Sequence, residues 1–376
     1  MRSSTPSSTA SSGTLGGARL RYLVFGTGAV GGYVGGRLAL SGQEVVFLSR
    51  PSVAEALLRD GLHITGDDPG GIVTQPQVIK SMRRAFSPIP PEIVLLCVKA
   101  YDCQLAADEL RDFAHLPFAV VCLLNGIGNE ETLAERLAEE RVIPASLTTA
   151  VRMLLPGLVQ VDRRRGLALA GCHPRIPYLV EEFHRAGIQT VHYRDPKRMK
   201  WSKILTNIVA NPTAAIVGWP PSRVFRDRGL YRLEIEALRE VVRLMRHMGM
   251  WPQNLPRVPL ALLARAIFLP PFLVQPLLHR AVASGRGQKP PSFLTDIERG
   301  RSEIQWLSGA VARQAMQMGL PASANHLLYE VFSALVTGRM DPQAFRGHPE
   351  RLLALAEEAG VPGIRGYNQS RTADSR

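Results

Sequence analysis

Leu20-Arg21-Tyr22-Leu23-Val24-Phe25-Gly26-Thr27-Gly28-Ala29-Val30-Gly31 is the stretch that decides the fold. Arg21–Phe25 reads as a buried strand, and Tyr33–Ser41 as a helix closed by Gly42. A Gly-x-Gly-x-x-Gly turn therefore joins a first strand to a first helix, the setting in which such a turn holds a dinucleotide. Gly26 permits the tight turn, Gly28 lets the backbone approach a pyrophosphate, and Gly31 lets helix and strand pack closely. Thr27, Ala29 and Val30 complete the turn, whose helix end offers aligned N–H donors to an anion. A glycine-rich turn with no ligand is the alternative, and the flanking strand and helix weigh against it.

Outward from the turn, short apolar runs alternate with amphipathic stretches as far as about His192. Strands are expected at Leu20–Phe25, Val45–Leu48, Ile93–Val98 and Ala119–Leu123, with helices at Ala29–Ser41, Val53–Arg59, Gln104–Phe113 and Glu130–Glu139. That alternation predicts an α/β domain whose parallel sheet is covered on both faces. Beyond Asp195 the patterns turn long and helical, at Lys197–Val217, Leu230–Met248, Phe293–Met318 and Ala322–Val336. The expected order is a Ser/Thr-rich tail over 1–18, the dinucleotide domain over 19–194, an all-α domain over 195–340 and a C-terminal extension over 341–376. Val258–Leu278 is nearly all apolar, but Arg265, Pro270-Pro271 and Pro276 argue against a membrane span. Buried helices with a sharp bend are expected there, with a lid or a membrane-surface contact as the minority reading.

A length of 376 residues suits two domains. The net charge of +13 is spread along the chain, and the one tight basic run, Arg163-Arg164-Arg165, reads as a solvated hairpin turn between Leu158–Val161 and Leu167–Ala170. No nucleic-acid partner is expected, although the excess charge attracts anionic small molecules such as a nucleotide. Cys97, Cys103, Cys122 and Cys172 lack metal-ligand spacing, so a reduced, cytoplasmic chain without a metal is expected. Met1–Gly17 lacks the features of a secretory signal and reads as a disordered tail.

The end of the second strand reports on the cofactor. An NAD site places an Asp or Glu about 20 residues after the turn, to bind the ribose 2′-hydroxyl. Here the chain runs Phe47-Leu48-Ser49-Arg50, and Arg50 suits a 2′-phosphate, so NADP(H) is favoured over a role as plain surface charge. Lys99 follows the next core strand and could add charge against the phosphate, while Asn125, after the strand beyond it, could reach the nicotinamide or the substrate. Either could instead be a turn residue. Lys203, Asn207 and Asn211 recur at i, i+4 and i+8 among Ile204, Leu205, Ile208, Val209 and Ala210, a narrow polar stripe that reads as a pocket lining. Pro212 predicts a kink.

Taken in order, the glycine turn, Arg50, Val98-Lys99-Ala100, Asn125-Gly126-Ile127-Gly128 and Lys203-x3-Asn207-x3-Asn211-Pro212 resemble the ketopantoate reductase family over about Arg19 to Val336. The resemblance implies a Rossmann-type α/β domain that binds NADP(H) and an all-α domain that closes over a 2-keto acid. The reaction implied is reduction of ketopantoate to pantoate, in pantothenate and coenzyme A biosynthesis. By position, Lys203 matches the catalytic lysine, and Glu303 matches a glutamate beside that lysine and the nicotinamide ribose. Asn125, Asn207 and Asn211 match substrate-side amides, and Ser292 matches the serine that binds the substrate carboxylate. Pro221-Ser222, Lys289 and Ser308-Gly309 depart from the family pattern at the substrate end. A different 2-keto acid is therefore the first alternative. A non-catalytic NADP-binding sensor is the second, and the retained Lys203 and Glu303 speak against it. A small-molecule substrate is the expected partner, membrane contact is disfavoured, and a homodimer is left open.

Overall fold

The computed structural model describes residues 20–286 and 293–364. The N-terminal tail and Ser292 lie outside the described residues. The strands are β1 (Arg21–Phe25), β2 (Glu44–Leu48), β3 (Leu62–Gly66), β4 (Gly71–Val73), β5 (Gln77–Ile79), β6 (Ile93–Leu96), β7 (Ala119–Cys122), β8 (Val142–Leu147), β9 (Ala150–Leu155), β10 (Leu158–Arg163), β11 (Leu167–Ala170) and β12 (Thr190–Tyr193). Among them run α1 (Ala29–Leu40), α2 (Pro51–Asp60), α3 (Met82–Ala85), α4 (Cys103–Arg111), α5 (Asn129–Leu137) and α6 (Ile176–Arg185).

The main sheet has the order β12-β11-β8-β7-β6-β1-β2-β5. It is parallel from β8 to β5, while β11 runs antiparallel to β8 and parallel to β12. Strand order reverses between β1 and β6, and the crevice outside the strand carboxyl ends at such a point is where ligands bind. Side chains alternate between two cores, as the pleat requires. Tyr22 and Val24 pack with Tyr33, Leu38 and Phe47 on one face, while Leu23 packs with Val46, Leu96 and Leu110 on the other. Coverage of both faces matches the expectation.

A second sheet, β4-β3-β10-β9, departs from that expectation. It sits on α1, which is squeezed between two sheets. A Cβ at Gly35 would lie 2.4 Å from Val24, and one at Gly32 or Gly36 would lie 2.8 or 2.9 Å from side chains of the small sheet. The glycines of α1 thus give up helix propensity for close approach on two sides. The same sheet corrects the basic run. β10 belongs to the small sheet and β11 to the main one, so Arg163-Arg164-Arg165 is a crossover and not a hairpin turn. Its backbone is tied down, Arg164 N donating to Asp67 at 2.9 Å and Arg165 N to Thr149 Oγ1 at 3.1 Å.

β12 ends at Tyr193, and Asp195 caps α7 (Pro196–Ile208) by accepting from Arg198 N at 2.9 Å. The rest is helical: α8 (Pro212–Val217), α9 (Pro221–Arg226), α10 (Arg228–His247), α11 (Leu260–Ala266), α12 (Pro271–Arg286), α13 (Leu294–Arg299), α14 (Ser308–Gln317), α15 (Ser323–Val336) and α16 (Pro349–Glu358). The expected helix over Lys197–Val217 is two helices, because Ala210 takes a φ of 50° and Pro212 opens α8. This is a break rather than a kink, and buried Glu234 of α10 accepts from the Ala210 N–H at 2.6 Å. Phe293–Met318 likewise divides, into α13, a 3-10 turn over Ile304–Trp306 and α14.

The bend at Pro270-Pro271 falls between α11 and α12 as expected, but these helices are not fully buried. Leu262 is 65% exposed and Phe272 74%. Among the described residues no helix is long and apolar enough to cross a membrane. Within the C-terminal extension, Leu352, Leu353 and Ala356 of α16 are buried in the helical core, which also reaches Ala168 and Ala170 of β11.

Candidate active site

The glycine turn carries both tight packing and open space. Gly26 has a φ of 98°, and a Cβ there would lie 2.9 Å from Val98 N. At Gly31 a Cβ would lie 2.2 Å from the Gly26 carbonyl oxygen. By contrast, a Cβ at Gly28 would meet nothing within 4 Å. Backbone is thus exposed to a ligand at the start of α1, where helix N–H groups favour an anion. Ser49 Oγ donates to Thr27 Oγ1 at 2.6 Å, and Gly26 N donates to Leu48 O at 3.2 Å, so the turn is held to the end of β2. Arg50 is the next residue. Its guanidinium is 78% exposed and donates to Asp102 at 3.0 Å.

Buried Glu303 reaches the end of the sheet from the helical part. It accepts from Lys99 Nζ at 2.5 Å and from Ala100 N at 3.1 Å. Burial works against the Lys99 charge, but Glu303 more than compensates and the lysine is held above its usual range. Asp296, buried beside this pair, has its carboxyl pushed up by burial even though Lys99 pulls the other way. The resemblance implies that Glu303 steadies Lys203. The bonds described for Glu303 go to Lys99 and Ala100, so it ties the helical domain to the segment after β6.

Asn125 stands where β7 ends. Asn207 Nδ2 donates to its Oδ1 at 3.4 Å, Asn129 Nδ2 donates to its carbonyl at 3.0 Å, and Asn211 Nδ2 donates to the Asn207 carbonyl at 3.2 Å. The three amides assigned to the substrate therefore do come together, though Asn211 lies past the helix break rather than as a third member of one helical column. Lys203 sits one turn before Asn207 on α7 and is partly buried. Gly126, at a φ of 97°, packs against Trp306, where a Cβ would lie 2.5 Å from the Trp306 Cβ, and Ile127 N donates to Trp306 O at 3.0 Å. This contact brings the loop after β7 against the turn that follows Glu303.

Two cations of this region escape a reading by motif. Lys200, one turn before Lys203, is 5% exposed and donates to Leu124 O at 2.7 Å and Ala145 O at 3.4 Å. It also pairs with Glu130 at 2.7 Å, and that pairing outweighs burial to keep it charged. Only its apolar neighbours Met199 and Trp201 hint that it is buried. The second is Arg301, which donates to Asp102 at 2.8 Å and lies 4.1 Å over the Tyr101 ring. The carboxyl end of the sheet and the helices that meet it offer a lysine, a cluster of amides, a carboxylate and an open glycine turn. Such a set can polarise a carbonyl and hold an anionic ligand.

Residues 22–173 match the family described as ketopantoate reductase PanE/ApbA, and residues 195–336 match its C-terminal counterpart. A 2-dehydropantoate 2-reductase of Pyrococcus horikoshii is 28% identical over 84% of this chain and 97% of its own length. A crystal structure of a PanE/ApbA family ketopantoate reductase from Ralstonia eutropha JMP134 covers 85% of this chain and 99% of its own, at a TM-score of 0.72 and 26% identity. D-mandelate dehydrogenase with NADH and anilino(oxo)acetate shares the fold, at a TM-score of 0.69 and 17% identity over 85% of this chain and 99% of its own. Matched in order along both its α/β and its helical parts, the chain belongs to the ketopantoate reductase family.

Proposed function

We propose that this chain reduces ketopantoate to pantoate with NADPH. One observation supports the reading: the glycine turn, Arg50 and Asn125 follow β1, β2 and β7 at the carboxyl end of the parallel sheet, and Asn207 of the helical part meets Asn125 there at 3.4 Å. NADPH supplies a hydride when bound. The backbone of Gly26–Gly31 suits its pyrophosphate, the space over Gly28 admits that approach, and Arg50 suits the 2′-phosphate. Lys99 and Asn125 follow the next two core strands, and the helical part meets them through Glu303 and Asn207.

In this reading the Lys203 ammonium donates to the keto oxygen of the substrate. It stabilises negative charge as that charge grows on oxygen, and then hands over the proton that completes the hydroxyl. The amides of Asn125, Asn207 and Asn211 orient the substrate, each already held by the next. Ser292 is assigned to the substrate carboxylate by position in the sequence. Glu303 is assigned a positioning role through Lys99 and the Ala100 N–H.

NADPH oxidation with ketopantoate tests the proposal. Lys203→Ala is expected to lower kcat/KM by about 100-fold or more, the usual contribution of a positioned general acid. Wild-type turnover in that variant would overturn the assignment. A panel of other 2-keto acids measured alongside should show ketopantoate with the highest kcat/KM, and a different best substrate would overturn the choice of acid.

A further inference from the structure

At the rim beside Arg50, one carboxylate serves two guanidiniums. Asp102 accepts from Arg50 at 3.0 Å on one oxygen and from Arg301 at 2.8 Å on the other. Arg50 and Asp102 belong to the α/β part, at the ends of β2 and β6, whereas Arg301 comes from the helical part, two residues before Glu303. The carboxylate is 16% exposed and the guanidiniums 78% and 52%, so both forks reach solvent while the acid stays behind them. Tyr101 lies under Arg301 and holds its plane.

The charges matter more than the contacts. An acid next to the ribose end of such a site ordinarily favours NAD, because it repels a 2′-phosphate. Asp102, bonded to Arg50, is placed to repel a 2′-phosphate that Arg50 would hold. Arg301 cancels the acid and leaves the trio of Arg50, Asp102 and Arg301 with one positive charge in excess, while Lys99 is bound to Glu303. Exposed ion pairs of this kind are weakly held, so either fork can turn from Asp102 toward a phosphate.

We infer that Arg301 is a second determinant of NADPH selectivity, a cation delivered by the helical part to the 2′-phosphate and to the acid behind it. The inference rests on the reading of Arg50 as the 2′-phosphate residue. It also means that NADPH, but not NADH, joins the two parts of the chain at this rim.

The test is calorimetric titration of the full chain with NADPH and with NADH. Arg301→Ala should weaken NADPH about tenfold or more, the loss of one charge-assisted hydrogen bond, and change NADH by less than about twofold. Adding Asp102→Asn to Arg301→Ala should restore part of the NADPH affinity by removing the exposed repulsion. Equal weakening of both cofactors by Arg301→Ala, or no change in either, would overturn the inference. Arg50→Ala separates the two failures. If Arg50→Ala is NADPH-selective and Arg301→Ala is not, only the role of Arg301 falls. If Arg50→Ala weakens both cofactors equally, the reading beneath it falls as well.

Discussion

Lys200→Met removes a charge from the junction between α7 and the sheet, and its cost follows from what the ammonium touches. Lys200 is 5% exposed, and the methionine keeps most of the packing of its stem. What is lost is the partner of Glu130, whose side chain is only 15% exposed, and a donor to Leu124 O at 2.7 Å. Breaking a buried pair costs about 3–5 kcal/mol, and the remaining solvent access of Glu130 puts this case near 3. The Leu124 carbonyl adds about 1 kcal/mol, for a total of about 4. With a urea slope of about 2.5 kcal/mol per molar, the unfolding midpoint should fall by roughly 1.5 M. Fluorescence of buried Trp201, the next residue on α7, reports the transition locally. Glu130→Gln in the same chain should recover much of the loss, since it is the orphaned carboxylate that is costly. A midpoint shift below about 0.3 M, or no recovery in the double variant, would refute the reasoning. Leu124 O immediately precedes Asn125, so kcat should fall in the single variant even where it remains folded.

Two further expectations concern the glycine turn and pH. Gly31→Ala should destabilise the chain because its Cβ would strike the Gly26 carbonyl, whereas Gly28→Ala should melt like wild type and lose NADPH affinity, since only a ligand would occupy that space. Melting curves and NADPH titration distinguish them, and a Gly28→Ala variant that binds NADPH normally would count against the turn as the cofactor site. Glu240 is buried and accepts from Ala324 N, Asn325 N and Asn325 Nδ2, and burial, against the pull of those bonds, raises its pKa from 4.5 to about 7. With the folded value above the unfolded one, the folded state binds more protons between them, so the contribution of Glu240 is present below about pH 4.5 and is lost as pH rises to about 7. Urea midpoints should therefore show wild type losing ground to Glu240→Gln over that window, and a gap that widens in favour of wild type would contradict the sign.

Much of the α/β part is legible in the sequence because its signals are local. Burial with a period of two marks the strands, and the Gly26-x-Gly28-x-x-Gly31 spacing marks the turn. Arg50 is readable for the same reason, since it falls just past the second strand, about 20 residues after the turn. Lys203 and Asn207 share a helix face by the helical repeat, while Asn211 shows where that logic stops, at a break set by Ala210 and by Glu234 from another helix.

What the sequence by itself determined, then, is the alternation of the first strands and helices of the α/β part, the helical character of the rest, where the dinucleotide turn lies, and which residue types line it. Only the tertiary structure decided the partners. Periodicity says that a face is buried but not against what, so the small sheet, the place of α16 and the crossover through Arg163-Arg164-Arg165 had no local signature. Lys200 meets Leu124 across 76 positions, Arg301 meets Asp102 across 199, and Glu303 meets Lys99 across 204. Pairings at that separation form when the core closes and brings two distant chain segments within bonding distance, and no stretch of sequence contains both members.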